Sequence, residues 1–186
     1  MKKIGMFLAL VCVIAGVMAI KAIAAEKQEK AAGGDRLRVG LFDSRALAIA
    51  FARSEEWNRQ LRDIKSEYEK AKAAGNEKRV KEIDTQMSNH QKLAHKQAFG
   101  TWPVDDILDV VKAKLPGVAK DANVDVIVSK WHVVYQAPSA ELVDVTETLA
   151  NLFNPSEQTL KMIRSLKDIT PASLEEIEAA EAKGGI

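Results

Sequence analysis

Cysteine is almost missing from this 186-residue chain, in which Cys12 stands alone. A single cysteine excludes an internal disulfide and a cysteine-built metal site. Histidine is nearly as scarce. His90 and His95 are five residues apart, about 140° around a helix, whereas a zinc pair on one helical face sits four apart. His132 has no cysteine or acidic neighbours at ligand spacing. No G-x-S-x-G elbow, P-loop or G-x-G-x-x-G fingerprint occurs, so the usual frameworks for nucleophilic and nucleotide chemistry are lacking. Asp105-Asp106-Ile107-Leu108-Asp109 spells D-D-x-x-D, a spacing that can hold Mg²⁺. These acids follow Thr101 and Pro103 closely, however, where negative charge favours a helix N-terminus. The sequence therefore predicts no enzyme, no catalytic residue, no cofactor and no bound metal.

An excess of one charge is lacking too, with 27 basic against 26 acidic residues. What the chain does have begins at its start. Met1-Lys2-Lys3 precedes an uncharged run from Ile4 to Ile20, then Lys21, Ala22-Ile23-Ala24-Ala25 and the polar stretch Glu26 to Lys30. A basic start, an apolar middle and small residues before a polar segment are the layout of a secretory signal peptide. Residues 1–25 are expected to be that peptide, cut near Ala25, and 26–35 a linker. The alternative is a retained anchor, since about 17 apolar residues is the lower limit for spanning a bilayer; membrane contact is expected only through this segment. Cys12 follows Leu10-Val11 mid-run, without the small residue that a lipid-attachment site needs. Removing residues 1–25 takes away Lys2, Lys3 and Lys21 and leaves 24 basic and 26 acidic residues, a net charge of −2. Nucleic acid is excluded as a partner, because its binders need a dense basic surface.

Leu37, Val39 and Leu41 alternate with Arg38 and Gly40, the period of a half-buried strand. From Ser44 the period changes. Trp57, Leu61, Ile64, Tyr68 and Ala71 are spaced 4, 3, 4, 3, and Val80, Ile83, Met87, His90 and Ala94 are spaced 3, 4, 3, 4. Two such a/d seams separated by Gly75-Asn76 predict a long antiparallel helical hairpin. A first arm running unbroken from Ser44 to Ala74 would be about 45 Å long. Gly100 and Pro103 predict a kink or break in the second arm, with Thr101 capping the restart. Val104, Ile107, Leu108, Val111 and Leu115 then mark one apolar helix face, ending at Pro116-Gly117 or a turn later. Val124 to Val128 and His132 to Tyr135 read as a strand pair around Ser129-Lys130-Trp131. Asp144-x-x-Glu147 reads as a capping box opening a helix, and Asn154-Pro155 and Thr170-Pro171 as the starts of two more.

The expected fold is mainly α with a small β body, the long coiled-coil hairpin being inserted between strands of a small sheet. Its parts are arms over about 44–115, a sheet body of 36–43 and 124–136, a closing helix of 145–153 and a helical extension of 154–186. A sheet of three short strands barely hides one apolar face by itself, which favours oligomerisation. Val39, Leu41, Val126, Val128 and Val134 are the candidate residues for that buried body.

Two stretches carry a family resemblance. Val39-Gly40-Leu41-Phe42-Asp43-Ser44-Arg45-Ala46-Leu47 is similar to the opening strand and arm start of the Skp/OmpH family of periplasmic chaperones. Val124 to Val128, through Val133-Val134-Tyr135 to Asp144-Val145-Thr146, is similar to that family's closing strands and helix start. The likeness in order covers about residues 36–153. It implies a homotrimer whose hairpins project from a joint body and enclose unfolded outer-membrane proteins, without ATP, in the periplasm of a Gram-negative envelope. The chain departs from the family in its slightly acidic mature charge, in Gly100 and Pro103, and in residues 154–186, which have no counterpart.

Trp57, Tyr68 and Met87 lie in the seams and read as hairpin core. Phe51, Phe99 and Trp102 fall near the arm bases and are the candidate client-binding residues. The expected function is that of a holdase-type chaperone for unfolded outer-membrane proteins. The alternative is an envelope scaffold that binds one defined partner through the hairpin or the extension. N-terminal sequencing of the exported protein is expected to begin near Glu26; a start at Met1 or within Ile4–Ile20 would contradict the signal-peptide reading.

Overall fold

The computed structural model describes residues 37–184; the expected signal peptide and linker lie outside them. Among the described residues, β1 (Arg38–Phe42), β2 (Val126–Ser129) and β3 (Glu141–Asp144) form one sheet in the order β2-β1-β3, with both pairings parallel. Parallel neighbours need a crossover, and the whole helical first half of the chain supplies the one from β1 to β2. It comprises α1 (Ser44–Ala52), α2 (Glu55–Ala73), α3 (Glu77–Phe99), α4 (Asp105–Val111), a 3₁₀ turn at Lys112–Lys114 and α5 (Leu115–Asp121). After the sheet come α6 (Thr146–Ala150), α7 (Glu157–Ser165) and α8 (Leu174–Ala182). The mainly α chain with a small β body is thus present.

The helix pair follows the seams. The Gly75 N–H reaches the Lys72 carbonyl and the Asn76 N–H the Ala71 carbonyl, with Gly75 at φ +67°. That is the two-bond Schellman stop, in which glycine takes the left-handed position without steric cost. Asn76 then caps α3 by accepting from the Arg79 N–H. Arg79 spans the pair, contacting Glu67 of α2 at 2.6 Å and Glu82 of its own helix at 2.9 Å. Farther along, the Trp57 and His90 rings are 6.2 Å apart, so the two helices run antiparallel. Ala71 and Ile83 are buried, the other seam residues are half-buried, and His90 is exposed.

Several expectations are corrected. The first arm is not continuous from Ser44. It breaks at Arg53-Ser54, where the Ser54 hydroxyl accepts from the Trp57 N–H and starts α2 afresh. The cause is burial: Ala46, Leu47, Ala48 and Ala50 place α1 inside the body, against α3, α6 and α7. The break before α4 is present, but Thr101 does not cap it; α4 begins after Val104 without a side-chain cap.

His132 to Tyr135 is not a strand. Lys130–His132 forms a 3₁₀ turn, Val134 is 99% exposed, and Glu141–Asp144 takes the third place in the sheet. A hairpin partner would run antiparallel beside β2, whereas Leu142 pairs parallel with Val39 on the far side of β1. Asp144 and Glu147 do not form a capping box. Asp144 accepts from the Thr146 N–H, and Glu147 pairs instead with Arg164 of α7. The last two helices are capped by Ser156 and Ser173 rather than by Asn154 and Thr170, and Ser173 with Glu176 makes a complete capping box. Asn154 instead takes the left-handed position at φ 51°. Residues 154–184 are helical and packed, with Thr159, Leu160, Ile163, Leu166 and Ile177 all buried.

The tie between sheet, helices and extension is Arg45, which is 1% exposed. Its guanidinium meets the Asp43 carboxylate through Nε (3.1 Å) and Nη2 (2.8 Å), and donates to the Ile169 (2.8 Å) and Leu166 (2.9 Å) carbonyls. Lys130, just after β2, also contacts Asp43 at 2.8 Å. Burial alone would push the Asp43 carboxyl up, but the hydrogen bonds and charges of Arg45 and Lys130 outweigh it and hold the group below the usual aspartate range.

Breaking a buried pair from one side costs about 3–5 kcal/mol, so Arg45→Met should lower the unfolding free energy by about that amount in urea titrations. The lowered Asp43 pKa adds a pH dependence of fixed sign. Its contribution is complete above the unfolded aspartate value of about 3.9 and is lost as pH falls through the folded value. Asp43→Asn should therefore be less stable at pH 7 and lose less further stability on acidification than the parent.

Candidate interaction surface

Two apolar regions, one exposed and one half-covered, are built from residues singled out by sequence. The first is the junction of α3 and α4. Gln97, 3% exposed, donates from Nε2 to the Pro103 carbonyl (3.0 Å) and to Asp106 (2.7 Å). That fork holds the Gly100–Val104 segment in a defined turn. Phe99 precedes it and Trp102 lies within it, 46% and 43% exposed. The Lys96 ammonium sits 5.4 Å from the Trp102 ring, and the Phe99 ring is 5.9 Å from His95. Both aromatics thus have one side fixed by neighbours and another open.

Phe51 belongs elsewhere. Its ring lies 5.6 Å from Trp57 and 5.7 Å from Phe153, half-buried against the core. Phe51 is thus engaged with the core, whereas Phe99 and Trp102 are open to solvent.

α8 closes over the α3 side of this junction. The Ala172 N–H donates to the Phe99 carbonyl (2.9 Å), His95 Nδ1 meets Glu181 (2.9 Å) and Lys96 meets Glu178 (3.2 Å). Gly100 permits the approach. A Cβ there would stand 2.9 Å from the Lys96 carbonyl oxygen and 3.0 Å from Ile177 Cδ1. Sequence reading took Gly100 for a helix breaker; its packing against α8 had no local signal, since the partner lies more than seventy residues away.

The second region is the outer face of the sheet. Register places Val39 beside Val126 and Leu142, and Leu41 beside Val128. Gly40, Phe42, Ile127 and Val143 take the opposite face, toward the core. Four of the five proposed body residues therefore share one face, which Leu142 completes. Val126 is 37% exposed there, and the other members are half-buried. Val134 is not among them. It lies in the loop after β2, beside Tyr135, which is 80% exposed.

The remaining polar candidates are engaged in structure. Asp105 and Asp106 stand in the first turn of α4, and Asp109 contacts Lys112 at 3.5 Å. Among the described residues, no group of three or more potential ligands is placed to hold a metal ion, and no helix is long and apolar enough to cross a membrane.

No protein-family model, curated protein or solved structure matches the chain.

Gly100→Ala tests the seating of α8. Forcing a methyl into a filled site costs typically 1–3 kcal/mol. The variant should keep its helical circular dichroism while the α8 amides exchange with deuterium at least tenfold faster than in the parent. Unchanged α8 protection would contradict the close approach.

Proposed function

We propose that the protein is an exported, holdase-type chaperone that keeps unfolded outer-membrane proteins from aggregating, without ATP. The observation that carries this reading is the α3–α4 junction. Two large aromatics, Phe99 and Trp102, are held nearly half exposed at the base of a solvated helix pair. Exposed apolar groups supported from behind act as reversible contacts, each offering about 1.5–3 kcal/mol if fully covered by a client. Several such contacts add by multivalency without a specific pocket.

Assembly belongs to the same proposal. The sheet face of Val39, Leu41, Val126, Val128 and Leu142 would be covered in a homotrimer, with the α2–α3 pair packing as a coiled-coil arm. The resemblance to Skp/OmpH chaperones supports this arrangement, as does the insertion of the helix pair between two neighbouring strands. Periplasmic placement follows from the signal-peptide layout of residues 1–25.

From Arg53 to Lys96 the helix pair carries 11 basic and 8 acidic residues, an excess of three. Spread over two helices, that charge is largely screened beyond about 8–10 Å at physiological salt. Client affinity should therefore change less than tenfold between low and several-hundred-millimolar salt. It should fall at least tenfold in a Phe99→Ser, Trp102→Ser double mutant. The reverse pattern would show that charge dominates. Sedimentation of the parent as a folded monomer would remove the trimer, and aggregation suppression confined to one partner would favour the scaffold.

A further inference from the structure

The helix α8 is lightly seated. Ile177 is its buried residue, at 3% exposure, and the helix packs chiefly on α3. It meets α3 through the ion pairs His95–Glu181 (2.9 Å) and Lys96–Glu178 (3.2 Å), and the Glu178 side chain is 55% exposed. Ion pairs open to water in this way contribute little. An element with one buried anchor and otherwise exposed bonds opens at a lower free energy than the core. What precedes α8 is fixed, for Arg45 binds the Leu166 and Ile169 carbonyls. The helix thus hangs on a short tether, and its return to α3 is intramolecular.

What α8 covers adjoins the exposed aromatics. Gly100 leaves a slot between Phe99 and Trp102 in sequence, with Ile177 Cδ1 at 3.0 Å and the Ala172 carbonyl oxygen at 3.4 Å from where a Cβ would stand. Both atoms belong to the C-terminal segment, so lifting that segment opens the slot. The ion pairs lead to the same place. Glu181 holds His95, whose ring is 5.9 Å from Phe99. Glu178 holds Lys96, whose ammonium is 5.4 Å from the Trp102 ring. Charge is complementary as well, since α8 carries Glu175, Glu176, Glu178 and Glu181 and no basic residue.

We propose that α8 is an autoinhibitory cover. It occupies in cis a docking site at Gly100 that takes an aliphatic side chain of an unfolded polypeptide, next to the ring contacts of Phe99 and Trp102. The resident segment names the chemistry of its competitor: an aliphatic side chain with carboxylates nearby. When α8 lifts, His95 and Lys96 lose their acids and the slot loses its isoleucine. A client segment of the same kind restores both. The slot is competent only in the fraction of molecules with α8 lifted, and apparent affinity is reduced by that fraction. Between encounters the seated helix keeps Ile177 and the slot out of water. The inference rests on the holdase reading for its client and deepens it by naming what controls access to the surface.

The test uses the full mature chain, with a urea-unfolded outer-membrane barrel diluted into buffer as client. In Ile177→Ser the α8 amides should exchange with deuterium about tenfold faster than in the parent. Client affinity should rise roughly threefold or more, since the closed fraction no longer subtracts from it. Gly100→Ala should free α8 as well yet show no gain, because its methyl fills the slot. A peptide of residues 170–184 is then added to Ile177→Ser at roughly millimolar concentration, which is what a short tether supplies. It should shift the Gly100 amide and Trp102 indole NMR signals and cancel the gain, and the same peptide carrying Ile177→Ser should do neither. Unchanged α8 exchange in Ile177→Ser, faster exchange without a gain in affinity, or a peptide that leaves both signals unmoved would overturn the proposal. Aggregation suppression by the parent is scored separately. A parent that suppresses aggregation, with Ile177→Ser binding no tighter, keeps the holdase reading and loses the cover. If neither chain binds client while the peptide is still captured, the docking site stands and the holdase reading falls.

Discussion

Arg45 makes four side-chain hydrogen bonds from a position shut off from water: two to Asp43 and one each to the carbonyls of Leu166 and Ile169. A guanidinium is costly to bury and cannot shed its proton, so its surroundings must satisfy it. Here the end of β1 supplies the counter-charge, and the segment after α7 supplies the neutral acceptors. Lys130 reaches the same carboxylate from the end of β2. The Trp131 ring lies 5.1 Å from the Arg45 guanidinium and 4.4 Å from the Lys130 ammonium. Four parts of the chain are thereby fixed around one buried charge: β1, β2, α1 and the C-terminal segment. Shape-tolerant apolar contacts would allow these parts to slide; a forked donor with directed bonds does not.

The consequences run outward from that point. Because α1 is held in the core, the helix pair begins only at Ser54, and α2 and α3 stand on a fixed base. Because the C-terminal segment is tied at Leu166 and Ile169, α8 comes back across the base of α3 and meets His95, Lys96 and Gly100. The Phe99 and Trp102 surface is thus framed by α8 on one side and by the Gln97 fork on the other. Framed in this way, the two aromatics stay partly exposed rather than collapsing onto the core.

The sheet poses a different constraint. Its inner face packs on the core, while Val39, Leu41, Val126, Val128 and Leu142 are only partly covered on the outer one. Parallel strands are ordinarily buried on both faces, and a three-stranded sheet is too thin to be an exception at no cost. The demand for a covering surface comes from the sheet itself, independently of any family likeness.

The sequence alone determined whatever depends on near neighbours. Period two marked β1, the 4, 3, 4, 3 spacing marked the helix pair, and Gly75-Asn76 marked its turn, because local backbone and side-chain geometry decide these. The exposure of Phe99 and Trp102 was legible from the Gly100–Pro103 break. Tertiary structure decided the rest. Val133-Val134-Tyr135 has strand-forming residues, yet the place beside β1 went to Glu141–Asp144, and Val134 is left 99% exposed in the loop. Ser44 to Ala52 continued a helical pattern, yet Ser54 restarted it, since α1 had to be buried. The slot at Gly100 carried no signal at all. Its neighbours Ala172 and Ile177 lie more than seventy residues away in sequence, and only folding brings them together.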